Sequence, residues 1–253
     1  MSPRVGFVIG GVQKGGTTAL AEFLSAHPDL VLPAVKEAHV FDDPRFDDRW
    51  DAVELDRRYA RHFPEGRRAA ALYGDATPIY MLHPTLIARI ARYNPAMKWV
   101  LILRHPVERA VSHYRMERAR GTDRWPFWAA VLLERWRLRG ERRLDLSPGS
   151  PLRRFSYRLR GDYAAQLDMI HAYFPPAQVL IIKNRALADY PEETLRSVHG
   201  FLGVEQNAEA RFDRVFQGDY PRLKPGGARW RLMCWLMRRE LECARKRYGI
   251  TWP

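Results

Sequence analysis

The chain has 253 residues, 46% hydrophobic and 28% charged, which is enough apolar material for one full core and too balanced a mixture for a disordered or fibrous chain. Lysine and arginine exceed aspartate and glutamate by 42 − 29 = 13. That surplus favours anionic partners, yet no RNA-recognition, zinc-finger or homeodomain pattern occurs, which speaks against a nucleic-acid-binding role. With no signal-peptide pattern at Met1 to Gly11 and no run of eighteen apolar residues, the expectation is a cytoplasmic protein of one domain, residues 1–253, without a membrane span.

The chain opens on a short apolar run from Val5, predicted as a buried strand, followed by Gly10-Gly11-Val12-Gln13-Lys14-Gly15-Gly16-Thr17-Thr18. Glycines let a backbone turn tightly and present consecutive N–H groups to an anion, and a helix opening at the threonines adds its unpaired donors. A Walker A loop, G-x-x-x-x-G-K-[ST], fits from Gly11 to Gly16 but then demands a lysine where Thr17 stands; the lysine sits earlier, at Lys14. The loop therefore reads as an anion cradle that departs from the ATP-binding pattern.

Helical spacing then covers Thr18 to Ala26, stopped by Pro28, and Asp29 to Pro33 is a short apolar segment leading to Lys36-Glu37-Ala38-His39-Val40-Phe41-Asp42. A helix is predicted over Asp51 to Phe63, a strand over Ala69 to Tyr73, a turn over Gly74 to Pro78 and a helix over Pro84 to Tyr93. Lys98 to Leu103 is the clearest central strand, continuously apolar, and Pro106 opens a helix reaching about Arg118. Trp125 to Arg139 has helical spacing and Leu144 to Ser150 reads as a loop. Gly161 to Tyr173 is amphipathic, Gln178 to Ile182 is a strand, and Pro191 to Leu202 is a helix closed by Gly203. Trp230 to Tyr248 is amphipathic too. If it is one continuous helix, its two cysteines, Cys234 and Cys243, face opposite sides and cannot pair. Strands alternating with helices give the expected class: α/β, with a P-loop-like parallel sheet of about four to five strands flanked by helices.

Two further stretches carry chemistry. Arg104-His105-Pro106-Val107-Glu108-Arg109-Ala110-Val111-Ser112-His113-Tyr114 places an arginine at a strand end and a serine eight residues on, a planar charged fork and a hydroxyl suited to one phosphate. Beyond the carboxyl ends of parallel strands this stretch and the glycine loop would face one ligand. In Lys36 to Asp42 a carboxylate, Glu37, and an imidazole, His39, stand two residues apart, a pair of groups able to exchange protons. The plainer alternatives are a surface ion pair for Glu37 and a packed, hydrogen-bonded histidine for His39.

Q-K-G-G-T-T-A-L at the start and R-x-P-x-x-R-x-x-S-x-Y from Arg104 together resemble the donor-binding motifs of sulfotransferases that use 3′-phosphoadenosine 5′-phosphosulfate (PAPS). The K-E-x-H-x-F-D stretch is similar to that of the carbohydrate sulfotransferases acting on heparan sulfate. Tyr157, Arg160-Gly161-Asp162-Tyr163, Phe174-Pro175, Pro191 to Leu195 and Phe201-Leu202-Gly203 extend the likeness over most of the chain. The resemblance implies an enzyme of the EC 2.8.2 type that moves the sulfuryl group from PAPS to a hydroxyl acceptor, a carbohydrate, glycolipid or natural product, leaving adenosine 3′,5′-bisphosphate. It implies that Lys14, Gly15, Gly16, Thr17 and Thr18 bind the 5′-phosphosulfate and that Arg104 and Ser112 bind the 3′-phosphate. Glu37, His39 and Lys14 would be catalytic, Glu37 as the base that deprotonates the acceptor hydroxyl and His39 orienting the acceptor or sharing that role. Arg160 and Gly161 would approach the nucleotide, and Lys224, Gly226, Gly227 and Arg229 would form a closing loop. No metal is expected, because cationic side chains and loop dipoles can neutralise a sulfuryl-transfer state.

The chain departs from the heparan-type pattern where Gly74-Asp75-Ala76-Thr77-Pro78-Ile79-Tyr80 replaces E-K-[ST]-P-x-Y, so an acceptor-side lysine is missing, and the paired-cysteine loop of the secreted enzymes is absent. The basic stretch Arg135 to Arg154 favours an acidic acceptor, and Trp50, Trp125, Trp128, Trp136 and Trp230 are either stacking platforms for it or core. Three other classes stay open: a nucleotide kinase or other P-loop NTPase, for which Asp75 is the candidate Mg²⁺ ligand; a nucleic-acid-binding protein; and a nucleotide-binding scaffold without activity.

Overall fold

Apolar runs form the strands here, and a glycine after β1 and a proline after β4 mark where helices begin. A computed structural model describes residues 4–12, 15–66, 70–139, 145, 147, 149–206 and 223–252. Along the chain it gives β1 (Val5–Gly11), α1 (Thr17–Ser25), β2 (Leu30–Val31), α2 (Ala52–Ala60), β3 (Leu72–Asp75), α3 (Pro84–Tyr93), β4 (Lys98–Leu103) and α4 (Pro106–Ala119). There follow α5 (Phe127–Leu132), α6 (Glu134–Arg137), α7 (Pro151–Phe155), α8 (Tyr163–His171), β5 (Val179–Lys183), α9 (Asn184–Asp189), α10 (Pro191–Leu202), α11 (Ala228–Leu236) and α12 (Arg238–Tyr248). Lys14 and Gln13 lie outside the described residues, as do Ala69 of the expected second strand and Leu144, Leu146 and Pro148 of the expected loop.

Among the described residues the sheet has five strands in the order β2-β3-β1-β4-β5, every neighbouring pair parallel. The expected parallel α/β class is the one found. Strand order reverses direction of growth around β1, so the crevice beyond its carboxyl end is the place where such sheets hold ligands. The chain falls into two compact units, Met1–Leu103 with Met169–Gln217 and Arg104–Asp168 with Gly218–Pro253. In the first, Phe7, Ile9, Leu20, Leu24, Val100 and Ile102 pack the sheet against its helices. In the second, Val107, Ala110, Val131, Tyr157, Met233 and Met237 form a separate core.

Local chemistry explains the helix ends. Asp51 caps α2 by accepting the Glu54 N–H at 2.8 Å, Pro106 opens α4 with the His105 ring accepting the Val107 N–H at 3.2 Å, and Gly203 at φ 84° closes α10. Three expectations shift. The strand predicted at Ala69 to Tyr73 lies at Leu72–Asp75, because Gly74 is needed in it: a Cβ there would meet the Phe7 ring at 2.2 Å. The helical stretch from Trp125 to Arg139 breaks at Leu133. Trp230 to Tyr248 breaks at Met237, whose side chain turns into the core of its unit. Cys234 and Cys243 therefore belong to two different helices, so the opposite-faces argument does not apply, and both thiols are free.

Candidate active site

At Gly11, Gly15 and Gly16 the backbone leaves no room for a side chain. A Cβ on Gly11, at φ 135°, would meet the Ile102 carbonyl at 2.4 Å; on Gly15 it would meet the Val12 carbonyl at 2.6 Å. On Gly16, at φ 105°, it would meet Asn184 Nδ2 at 2.4 Å. The Gly15 N–H closes the turn onto the Val12 carbonyl at 2.7 Å. Gly16 is then the N-cap residue of α1 and, being a glycine, offers no side-chain cap to the first turn. Backbone N–H groups at a helix start, with the positive end of the helix, are donors of the kind an anion takes. Thr17 is buried at its start and Thr18 is exposed.

Beside it runs a chain of charged groups delivered by the segment after β2. The Lys36 ammonium donates to Thr17 Oγ1 at 3.2 Å and meets Glu37 Oε1 at 3.5 Å. The other Glu37 oxygen lies 3.3 Å from His39 Nε2, and His39 Nδ1 lies 2.9 Å from Asp42 Oδ2. An ionised carboxylate only accepts, so the Nδ1 proton belongs to the Asp42 contact, and Nε2 is left to exchange a proton with Glu37. His39 sits at φ 54°, a left-handed conformation uncommon for a side-chain-bearing residue, and its N–H donates to Thr77 Oγ1 at 3.4 Å. The side chains of Glu37 and His39 are 29% and 40% exposed, whereas that of Asp42 is fully enclosed. A base open on one side and held by an imidazole on the other can take a proton from an incoming hydroxyl and share it.

Asp75, at the end of β3, is wholly buried and accepts from the hydroxyls of Tyr59 and Tyr80, both at 2.8 Å, and of Thr77 at 2.7 Å. Burial raises its pKa against the opposing pull of those hydroxyl bonds. Both oxygens are thus engaged in fixing the Thr77 turn and Tyr80, whose hydroxyl also accepts the Val40 N–H at 3.0 Å. This is a positioning role for the Glu37 segment and leaves little for the Mg²⁺ ligand an NTPase would need. Among the described residues no group of three or more metal-ligating side chains occurs.

The other sequence-derived residues lie in the second unit. Arg104 directly follows β4 and its Nε donates to Glu108 Oε2 at 3.0 Å, while Ser112 is half-buried in α4. Arg160 is buried, donating from Nε to Ser156 Oγ at 2.9 Å and from Nη2 to the Arg153 carbonyl at 3.1 Å. A Cβ on Gly161 would meet Met237 Cε at 2.5 Å. Lys224 and Gly226 are exposed in a turn closed by the Gly227 N–H on the Lys224 carbonyl at 3.1 Å, and Arg229 is exposed in the first turn of α11. Of the tryptophans, Trp50 carries Arg58 on its face at 3.3 Å, Trp125 carries Arg137 at 4.5 Å, and Trp128 and Trp230 pack against the core of their unit. Trp136 stays 60% exposed. Lys36, Asp42 and Thr77 are the contributors to which the sequence assigned no role; the first two were visible only as letters flanking Glu37 and His39.

The five-stranded parallel sheet with its glycine turn before α1 places the chain in the P-loop-like α/β class. The sulfotransferase domain model matches residues 6–217, and the chain belongs to that family. It is 29% identical over 199 residues to heparan sulfate glucosamine 3-O-sulfotransferase 3B1 of Mus musculus, covering 79% of this chain and 46% of that protein. It is 31% identical over 199 residues to heparan sulfate glucosamine 3-O-sulfotransferase 6 of Mus musculus, covering 79% and 52%. The chain spans about half the length of these curated relatives. A sulfotransferase from Alicyclobacillus acidocaldarius superposes with a TM-score of 0.78 at 26% identity, over 99% of this chain and 98% of that one. No helix of the described residues is long and apolar enough to cross a membrane.

Proposed function

We propose that this sulfotransferase moves the sulfuryl group of PAPS to a hydroxyl of a carbohydrate-type acceptor, with Glu37 as general base. The observation that carries the reading is the continuous contact from Thr17 at the helix start through Lys36 to Glu37, His39 and Asp42. The residue types suit the donor: Gly11, Gly15 and Gly16 before the start of α1 suit its 5′-phosphosulfate, and an arginine with a serine, Arg104 and Ser112, suits a 3′-phosphate. Bound there, the donor supplies an activated sulfur–oxygen bond. Glu37 takes the acceptor proton, His39 Nε2 shares it, and Asp42 keeps the imidazole in the orientation that allows the sharing. Lys14 and the loop N–H groups stabilise charge on the departing phosphate. Similarity to two heparan sulfate 3-O-sulfotransferases supports a sugar hydroxyl as acceptor.

The test is calorimetric titration with adenosine 3′,5′-bisphosphate, adenosine 5′-monophosphate and ATP, joined to transfer assays on sulfated and unsulfated polysaccharides. Selective binding of the bisphosphate, weakened by Arg104→Ala by on the order of 1.5 kcal/mol or more, is expected. Preference for ATP would overturn the donor assignment, and full activity of Glu37→Gln would move the base elsewhere.

A further inference from the structure

Lys36 joins the two halves of the site. An ammonium has three N–H donors, and Lys36 directs one to Thr17 Oγ1 and one to Glu37 Oε1. The third has no partner among the described residues. Thr17 is the first residue of α1, so this cation stands at the positive end of a helix. Glu37 offsets part of that concentration of positive charge, and an anion at the loop would offset the rest. The side chain is also well placed to stay put, at 23% exposure against 29% for Glu37. After β3, Ala76 is apolar and buried, and the Thr77 hydroxyl donates to Asp75.

We propose that Lys36 is a further catalytic residue. Its third N–H bonds an oxygen of the sulfuryl group in transit, while the other two hold Thr17 and Glu37, so one side chain aligns helix start, sulfur and base. The inference rests on the donor reading above. In the step it serves, the acceptor oxygen forms the new bond to sulfur as its proton passes to Glu37. The bond from sulfur to the donor's phosphate oxygen breaks, and its electron pair stays on that oxygen. Lys36 remains an ammonium throughout. A rotatable ammonium can point three ways at once, which the planar fork of arginine cannot.

Titration without acceptor separates this role from general electrostatics, because PAPS carries the sulfuryl group and adenosine 3′,5′-bisphosphate does not. In Lys36→Met, binding of PAPS weakens at least tenfold more than binding of the bisphosphate. With acceptor present, kcat falls about 100-fold while the acceptor KM stays within about threefold. Lys36→Arg recovers part of kcat, and if the methionine variant does not fold, Lys36→Gln serves for the same comparison. Equal weakening of both nucleotides, or an unchanged kcat, overturns the role of Lys36 and leaves the donor reading standing. A wild-type protein that binds neither nucleotide overturns both.

Discussion

The two units of this protein both gather charged side chains, but they dispose of them differently. Around Glu37 the groups form an open line, with an exposed carboxylate and imidazole backed by the enclosed Asp42. In the second unit two carboxylates, Asp123 and Glu134, are closed in. Asp123 accepts from Arg137 Nη1 at 2.8 Å, the Tyr157 hydroxyl at 2.7 Å and the Trp125 N–H at 3.0 Å. Burial works to raise its pKa, yet the Arg137 and Tyr157 hydrogen bonds outweigh it and hold the group below the usual range. Glu134 accepts the Arg158 and Leu159 N–H groups at 2.6 and 2.8 Å, and there burial wins, pushing it up to about 7. A carboxylate whose acceptor sites are filled by its own fold is architecture; one left open to a substrate is available for chemistry.

If that contrast holds, variants of the first set lose rate and variants of the second lose stability. The largest effect is expected for Glu37→Gln, a drop of about 10²- to 10⁴-fold in kcat with unchanged melting, read by transfer assay and calorimetry. Asp123→Ala leaves Arg137 and Tyr157 buried without their acceptor, and urea unfolding should show a loss on the order of 3 to 5 kcal/mol. A stable Asp123→Ala, or an unstable Glu37→Gln, would break the comparison.

Glu134 sharpens it through pH. Its folded pKa of about 7 lies above the ordinary 4.5, so between those values the folded protein holds more protons than the unfolded chain. Its contribution is fully present below pH 4.5 and is lost as pH rises to about 7, a span worth on the order of 3 kcal/mol. Unfolding free energies measured in steps across that window should decline with pH, and Glu134→Gln should flatten the decline.

What the sequence disclosed followed from how local each cause was. The glycine loop and the apolar run of β4 act through nearest neighbours, so pattern alone located them. Glu37 and His39 were found by resemblance, and the contact between them then proved geometric. Asp42 stands three residues after His39 in a segment without regular structure, where spacing carries no rule. Its role depends on the left-handed turn at His39, which brings the carboxylate back to the ring. The Asp75 cluster was hidden for a different reason: Tyr59 comes from α2 and Tyr80 from the turn before α3, and they meet only in the folded chain. The breaks at Leu133 and Met237 interrupt stretches whose helical period continues, so periodicity alone does not reveal them.

The smallest effect belongs to the residue that lies between the two classes. Asp42 is enclosed like Asp123 yet bonded to the open imidazole of His39. Asparagine is nearly isosteric, but its amide can turn an N–H toward Nδ1, which would move the ring proton to Nε2 and set a fixed donor against Glu37. Glu37 would then be a weaker base without being lost. Asp42→Asn is therefore expected to lower kcat by about 10- to 100-fold, less than Glu37→Gln, because the partner of a base contributes below the base itself. Affinity for adenosine 3′,5′-bisphosphate and the melting temperature should remain near wild type. A fall in stability with kcat preserved would instead place Asp42 with Asp123, and the line of groups functioning as a unit would end at His39.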